Sequence, residues 1–324
     1  MAALAPAVAA VRNAVRRSLG EPRLEPGEVV LVACSGGADS LALAVAARFV
    51  TQRMHVRCGL VTVDHGLQDG SADRAARLAG WAREREFAPV DVRSVTVSGP
   101  GGPEASARDA RYAALVASAK AHRAALVLLG HTRDDQAETV LLALTRGSGP
   151  RGLAGMPERR EWHGVTFVRP LLDVGRADTR LACEADALTW WEDPHNSDPA
   201  YARSRLRPLV DALGARVVDN LARTARLVAA DTGYLDELAA DALEKALDGP
   251  AALLVAELER LPGPVRTRVL HAWVRRLGVP GGLLSHRHVA ALDALVTDWR
   301  GQGPVALPGG ISVARSEGRL LHRH

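Results

Sequence analysis

Lysine is nearly absent from this chain: Lys120 and Lys245 are the only two in 324 residues. A Walker-type phosphate loop ends in a lysine that reaches the β- and γ-phosphates, and neither of these follows a glycine-rich turn, so that class of nucleotide site is excluded. Cysteine is scarce as well. Cys34, Cys58 and Cys183 are odd in number and never paired as C-x-x-C, which argues against a disulfide framework, a zinc site or an iron–sulfur cluster. No apolar run approaches the length of a membrane span. The alanine-rich segment from Ala2 to Val15 carries Arg12, Arg16 and Arg17 after its apolar part, the reverse of a secretory leader. It reads as a short amphipathic helix of a cytoplasmic protein. Low-complexity tracts and internal repeats are missing too.

What the chain does have is apolar bulk. Hydrophobic residues make up 47%, enough at this length for a real core and for two domains or more. The charge balance is mildly basic, +4 with a pI near 9.3, which is compatible with a polyanionic partner. Its cationic side chain is almost always arginine, whose planar fork suits phosphate.

The most informative stretch runs Val29-Val30-Leu31-Val32-Ala33-Cys34-Ser35-Gly36-Gly37-Ala38-Asp39-Ser40 and continues as Leu41-Ala42-Leu43-Ala44. An apolar run stops in a small turn and resumes with helical composition: strand, phosphate loop, helix. Unpaired backbone N–H groups from Ser35 to Ser40 face an oxyanion at the positive end of the helix dipole, and the two glycines let it approach the main chain. The pattern Ser-Gly-Gly-x-Asp-Ser resembles the pyrophosphate loop of enzymes that cleave ATP between its α- and β-phosphates. That resemblance implies that Ser35, Gly36, Gly37, Ala38, Asp39 and Ser40 hold the leaving pyrophosphate, with Asp39 reaching its Mg²⁺.

β-branched runs at 56–63, 90–97 and 125–129 alternate with helical stretches near 73–86, 104–122 and 134–145, and a run at 167–172 precedes a helix near 176–188. Repeated β-α units predict an α/β fold with a doubly wound parallel sheet, Rossmann-like, whose ligands sit outside the carboxyl ends of the strands. The expected division is a catalytic domain over 1–208, a helical domain over 209–300 and a C-terminal β-hairpin over 301–324. One or two long helices are expected at 217–247, with further helices near 265–277 and 285–299. Pro308-Gly309-Gly310 supplies the hairpin turn.

A second motif, His131-Thr132-Arg133-Asp134-Asp135-Gln136-Ala137-Glu138-Thr139, follows the run at 125–129 directly. Asp134 and Glu138 are four apart and Asp135 and Glu138 three apart, so a helix puts them on one face near its positive end. Such carboxylates hold Mg²⁺ or orient a nucleophile; Asp134 or Asp135 serves equally as an N-cap. His131 is either a donor to a phosphate or base edge, or an ordinary satisfied polar residue. Arg108 and Arg111, three apart on one helix, either converge on one phosphate or base edge or lie on a solvated face. Arg146, before Gly147-Ser148-Gly149, suits a phosphate contact or a helix C-cap. From Trp190 to Arg207, arginines alternate with turn formers, and Trp190 and Trp191 either pack in the core or stack on an unpaired base. Arg223, Arg226, Arg266, Arg268, Arg275 and Arg276 give the C-terminal part a basic surface, fit for a nucleic-acid stem or simply for solvent.

Taken in chain order, these motifs resemble one family. Ser35 to Ser40, Val63-Asp64-His65-Gly66-Leu67, Glu104 to Tyr112 with Arg108 and Arg111, His131 to Gly149, and Asp193-Pro194-His195-Asn196-Ser197-Asp198 with Arg203 and Arg207 are similar to tRNA(Ile)-lysidine synthetase. The likeness spans the whole first domain, and the C-terminal part is similar to shorter members that lack a larger second C-terminal domain. His195 stands where serine is usual, and Ser204 where asparagine follows the arginine. The resemblance implies a two-step ligation with ATP and Mg²⁺. The wobble cytidine of a CAU-anticodon tRNA(Ile) is adenylated at its C2 oxygen, and free lysine then displaces AMP, so that the codon read changes from AUG to AUA. It implies catalytic roles for Asp39, Arg108, Asp135 and Glu138, and nucleotide contacts from Asp64, His65 and His131. Contacts to tRNA or lysine fall to Arg111, Asp134, Arg146, Asp193, Asn196, Asp198, Arg203 and Arg207. Glu138, Asp135 and Asp134 are all candidates to bind and deprotonate the amine, and a homodimer is left open. A tRNA thiolase would want paired cysteines and an amide synthetase a glutaminase, neither of which is found. A non-catalytic nucleotide- or RNA-binding module would not need Asp39, Asp135 and Glu138.

Overall fold

The computed structural model describes residues 4–21, 24–66, 68, 70–96, 103–193 and 202–323, with backbone only at 103, 104, 202 and 203. It divides into two compact units, Met1–Ala229 and Ala230–His324.

In the first unit, strands β1 (Val29–Ala33), β2 (Arg57–Asp64), β3 (Val90–Ser94), β4 (Ala124–Leu129), β5 (Arg159–Trp162) and β6 (Val165–Val168) form one sheet among the described residues, ordered β3-β2-β1-β4-β6-β5. All neighbours are parallel except β5, which runs antiparallel to β6 at the edge. The helices are α1 (Pro6–Leu19), α2 (Ala38–Arg53), α3 (Ser71–Glu84), α4 (Pro103–Ala121), α5 (Arg133–Thr145), α6 (Pro150–Leu153), α7 (Arg176–Ala185), α8 (Ala202–Leu213) and α9 (Ala215–Ala246), whose last part enters the second unit.

β1 explains why its sequence is apolar without alternation. Val30 and Val32 bury in a core with residues of α1, α2 and α7, while Val29 and Leu31 bury on the other face with Tyr112 and Leu115 of α4. A parallel strand covered on both faces has no polar side to show. The doubly wound sheet expected from the alternation is the one observed. Because β1 has β2 on one side and β4 on the other, the strand order reverses there, and the crevice beyond the carboxyl ends of β1 and β4 is where such a sheet binds ligands.

Boundaries moved where local chemistry intervened. The first helix starts at Pro6, whose missing N–H costs nothing in a first turn, and ends at Leu19. β5 was not anticipated; Arg159-Arg160-Glu161-Trp162 is a polar edge strand with no apolar run to mark it. Val210 and Val218 bury with Ala137 of α5, so α8 and the start of α9 belong to the first unit.

The second unit adds β7 (Ala252–Leu254), α10 (Val255–Glu259), α11 (Gly263–Arg276), α12 (His286–Thr297), β8 (Val305–Leu307), β9 (Ile311–Ser316) and β10 (Arg319–Arg323). Gly309 and Gly310, with φ of 84° and 74°, turn β8 into β9 as the Pro-Gly-Gly sequence requires. The hairpin is part of a four-stranded antiparallel sheet ordered β7-β10-β9-β8. Leu253, Val313 and Leu320 from that sheet share one core with Trp273, Leu292 and Leu295 of the helices. Among the described residues, no helix is long and apolar enough to cross a membrane.

Candidate active site

The turn between β1 and α2 is folded around Ser40. Its hydroxyl donates to the Gly37 carbonyl at 2.9 Å and accepts the Ser35 N–H at 3.2 Å. Gly36 takes φ of 85°, a conformation that a side chain would strain. Gly37 is the N-cap of α2, and the first-turn N–H groups behind it have no acceptor four residues back. The N–H of Ser35 is therefore already taken by Ser40, which narrows the expected amide cradle to the groups that follow it. Ser35 itself is exposed, and Ala38 and Ser40 are buried. Gly130, just past β4, runs close beneath this turn: a Cβ there would stand 3.2 Å from Asp39 C, Asp39 O and Ser40 Cα.

Asp39 leaves the first turn of α2 toward α7, where the Thr179 hydroxyl donates to its Oδ1. That hydroxyl is also 2.8 Å from the Arg176 carbonyl. Burial pushes the Asp39 carboxyl up to about 6, the charges of Asp135 and Asp134 add to the rise, and the Thr179 bond opposes it.

The second motif opens α5 as expected, with Thr132, not Asp134 or Asp135, as its N-cap. Asp135 is the N3 member of a capping box: its Oδ2 accepts the Thr132 N–H at 2.7 Å and the Thr132 hydroxyl at 3.0 Å. Its Oδ1 accepts Arg176 Nη2 at 3.0 Å. Asp134 Oδ2 accepts the backbone N–H of Arg176 at 2.7 Å, and Glu138 Oε1 accepts Arg176 Nη2 at 3.0 Å and Arg207 Nε at 3.3 Å. Glu138 is 1% exposed, and both guanidinium groups meet it on the same oxygen. Burial works against ionisation of Asp135, but Arg176, His131 and the Thr132 bonds outweigh it and hold the carboxyl below its ordinary range. Burial likewise opposes the charge of Arg176, and Asp135 and Glu138 reverse that to hold the guanidinium firmly protonated. Arg176 and Thr179 were not foreseen as site residues. They reach the acids only through the fold, 38 to 140 residues away in the chain.

At the end of β2, Asp64 Oδ1 accepts the Gly66 N–H at 3.0 Å, which lowers its carboxyl. His65 is half-buried; burial and the nearby Arg111 charge lower it, while Asp64 and Asp193 pull the other way. Asp193 Oδ1 accepts Gln68 Nε2 at 2.9 Å, Arg74 stacks 4.5 Å over the Trp191 ring, and the backbone N–H of Trp191 donates to the Gly36 carbonyl at 3.0 Å. Trp190 packs against the core, and Trp191 carries a cation on its face.

Arg108 and Arg111 meet at Tyr112. Arg108 stands 5.0 Å and Arg111 5.8 Å from the ring centre, and Arg108 Nη2 is 3.4 Å from the phenol oxygen. Arg169, 1% exposed and also unforeseen, donates to the same oxygen at 3.2 Å and to the Pro157 carbonyl at 2.8 Å. Burial raises the phenol, but the charges of Arg108 and Arg169 lower it further.

Among the described residues, Arg146 does not join this group. Arg146 is exposed at the C-cap of α5, about 18 Å along the helix axis from Asp134. Asn196, Asp198 and the side chain of Arg203 lie outside the described residues. Of the C-terminal arginines, Arg226 pairs with Asp173 at 2.7 Å, Arg266 with Asp293 at 2.7 Å, Arg268 with Asp236 at 2.9 Å and Arg276 with Glu244.

A phosphate-type loop at a topological switch point, with an acid in the first turn of its helix and carboxylates from the helix after the neighbouring strand, is the arrangement of the PP-loop class of ATP-utilising enzymes. Residues 10–213 match the PP-loop domain family, and residues 253–321 match the TilS substrate binding domain. The tRNA(Ile)-lysidine synthase of Salinispora tropica is 61% identical over 99% of this chain and 97% of its own length. That of Thermobifida fusca is 51% identical over 98% and 97%. Among solved structures, the U34-tRNA thiolase NcsA from Methanococcus maripaludis matches 68% of this chain and 77% of its own, with a TM-score of 0.56 at 18% identity, a likeness of fold alone. The chain belongs to the tRNA(Ile)-lysidine synthase family, and so to the ligases.

Proposed function

We propose that the protein uses ATP to ligate free lysine to C2 of the wobble cytidine in a tRNA(Ile) with a CAU anticodon, in the cytoplasm. In the first step the C2 oxygen attacks the α-phosphate and pyrophosphate leaves; in the second the ε-amine of lysine attacks C2 and AMP leaves with its oxygen. The observation that carries this reading is the convergence of Asp39, Asp134, Asp135 and Glu138, from two β-α units, beside a helix start suited to a diphosphate. Amides from Gly36 to Ser40 receive the pyrophosphate, where a helix dipole and fixed donors stabilise developing charge. Asp64 and His65 flank the nucleoside of ATP, with His131 on the phosphate side. Arg108 and Arg111 offset charge growing on the phosphates, and the acids of α5 receive the amine. Asp193, Asn196, Asp198, Arg203, Arg207 and the more distant Arg146 are assigned to tRNA, and the second unit to the stem beyond the anticodon.

Magnesium fits this site. An ion of this kind is held by one or two carboxylates together with phosphate oxygens. Asp39, buried near the charges of Asp135 and Asp134, is a carboxyl whose ionised form a cation beside it would favour. When bound, the ion draws negative charge from the phosphates of ATP.

The test is transfer of radiolabelled lysine to a CAU-anticodon tRNA(Ile) transcript with ATP and Mg²⁺. Label in the tRNA, with pyrophosphate release that requires that tRNA, is expected. Folded protein that leaves a competent transcript unlabelled overturns the proposal.

A further inference from the structure

The acids of the site come from two separate β-α units, yet the first turn of α7 holds all four. Arg176 gives its backbone N–H to Asp134 and a single nitrogen, Nη2, to both Asp135 and Glu138; Thr179, one turn on, is bonded to Asp39. These contacts are unequal in what they leave for a substrate. Asp135 is committed on both oxygens, to Thr132 and to Arg176. Glu138 takes Arg176 and Arg207 on the same oxygen, Oε1. Both guanidinium contacts thus fix the Glu138 carboxylate through one of its two oxygens.

Resting on the function proposed above, we propose that Arg176 is a positioning residue for the lysine half-reaction, holding the Glu138 carboxylate in place for the amine, with Asp135 orienting Arg176 in turn. Two carboxylates three residues apart on one helix repel each other, and Glu138 has almost no access to water. Without the shared guanidinium nothing counters that repulsion, and Glu138 turns away from the position in which it receives the amine. Arginine is suited to the task because it stays charged in a buried setting where lysine titrates.

The experiment titrates lysine against intact Arg176→Met, Arg176→Lys and Glu138→Gln proteins with ATP and the CAU transcript, the fold being checked by circular dichroism. Arg176→Met is expected to raise the KM for lysine at least tenfold, and Arg176→Lys to recover part of that loss. A merely structural role would lower the amount of active protein, and so kcat, with the lysine KM unchanged; that result overturns the inference. If Arg176→Met does not fold, Arg176→Lys carries the test, a threefold or larger rise in lysine KM supporting the inference and an unchanged KM overturning it. Glu138→Gln separates the two levels. If it leaves lysine use intact, the assignment of the amine site fails and the inference with it; if it impairs lysine use while the folded Arg176 variants do not, only the role of Arg176 falls.

Discussion

Replacing Asp39 with asparagine should make the ligand-free protein more stable while abolishing its reaction. Burial together with Asp135 and Asp134 pushes the Asp39 carboxyl from 3.8 to about 6 in the fold, whereas in the unfolded chain it ionises at its ordinary value. Between those two values the folded protein holds a proton that the unfolded chain has lost, so stability falls as pH rises from about 4 to about 6 and stays lowered above that. At 1.36 kcal/mol per pH unit the ionised carboxyl costs the fold about 3 kcal/mol at most, and about 1–3 kcal/mol once local relaxation is allowed. The asparagine side chain keeps an oxygen that accepts from Thr179 and carries no charge. Urea denaturation in EDTA, followed by tryptophan fluorescence, should therefore find Asp39→Asn more stable than the parent by about 1–3 kcal/mol at pH 8. In melting temperature that is about 2–4 °C per kcal/mol for a unit of this size. The gap should shrink as pH falls and close near pH 4. A variant no more stable at pH 8, or a gap that ignores pH, refutes the reasoning. The same variant should release no pyrophosphate, which would mark the position as one where function is bought with stability.

Two further outcomes follow from close packing. Gly130→Ala puts a methyl 3.2 Å from three main-chain atoms of Asp39 and Ser40. It should destabilise the first unit by about 1–3 kcal/mol and slow pyrophosphate release about threefold to tenfold, because a misplacement of even 1 Å costs about a hundredfold. Gly80→Ala, in α3 with nothing within 4 Å, is the control and should stabilise by up to about 1 kcal/mol; equal effects from the two would refute the contact. Cys34, Cys58 and Cys183 are all buried, and burial raises each thiol, Cys58 and Cys183 to about 12. Ellman's reagent should find no fast thiol in the native protein and three after denaturation, and a prompt stoichiometric reaction would contradict that.

The fold was legible where the chain repeats itself. Apolar runs at 29–33, 57–64 and 124–129 sit between helical stretches, and that alternation admits few topologies. β5 was not legible, since an edge strand of Arg159-Arg160-Glu161-Trp162 has neither a buried face nor a β-branched run. β7 was missed because three residues carry no period, and its partner β10 lies more than sixty residues away. Within the site, the loop at Ser35 to Ser40 and the acids of α5 could be read because their spacing is local. Arg176, Thr179 and Arg169 could not, because each acts through partners distant in the chain. Arg176 and Thr179 do stand three apart at the start of a helix, and a polar pair in a first turn at a strand's carboxyl end is the signal that would have found them.

Gly130 passes beneath the first turn of α2 with no side chain between them. Sheet and turn are thus gauged by atomic radii, a spacing that salt, acidity and the charge on a nucleotide leave alone. A strut made of ions would lengthen or let go as charged reactants arrived and departed. In the reaction proposed here, such a floor would keep its place through both displacements.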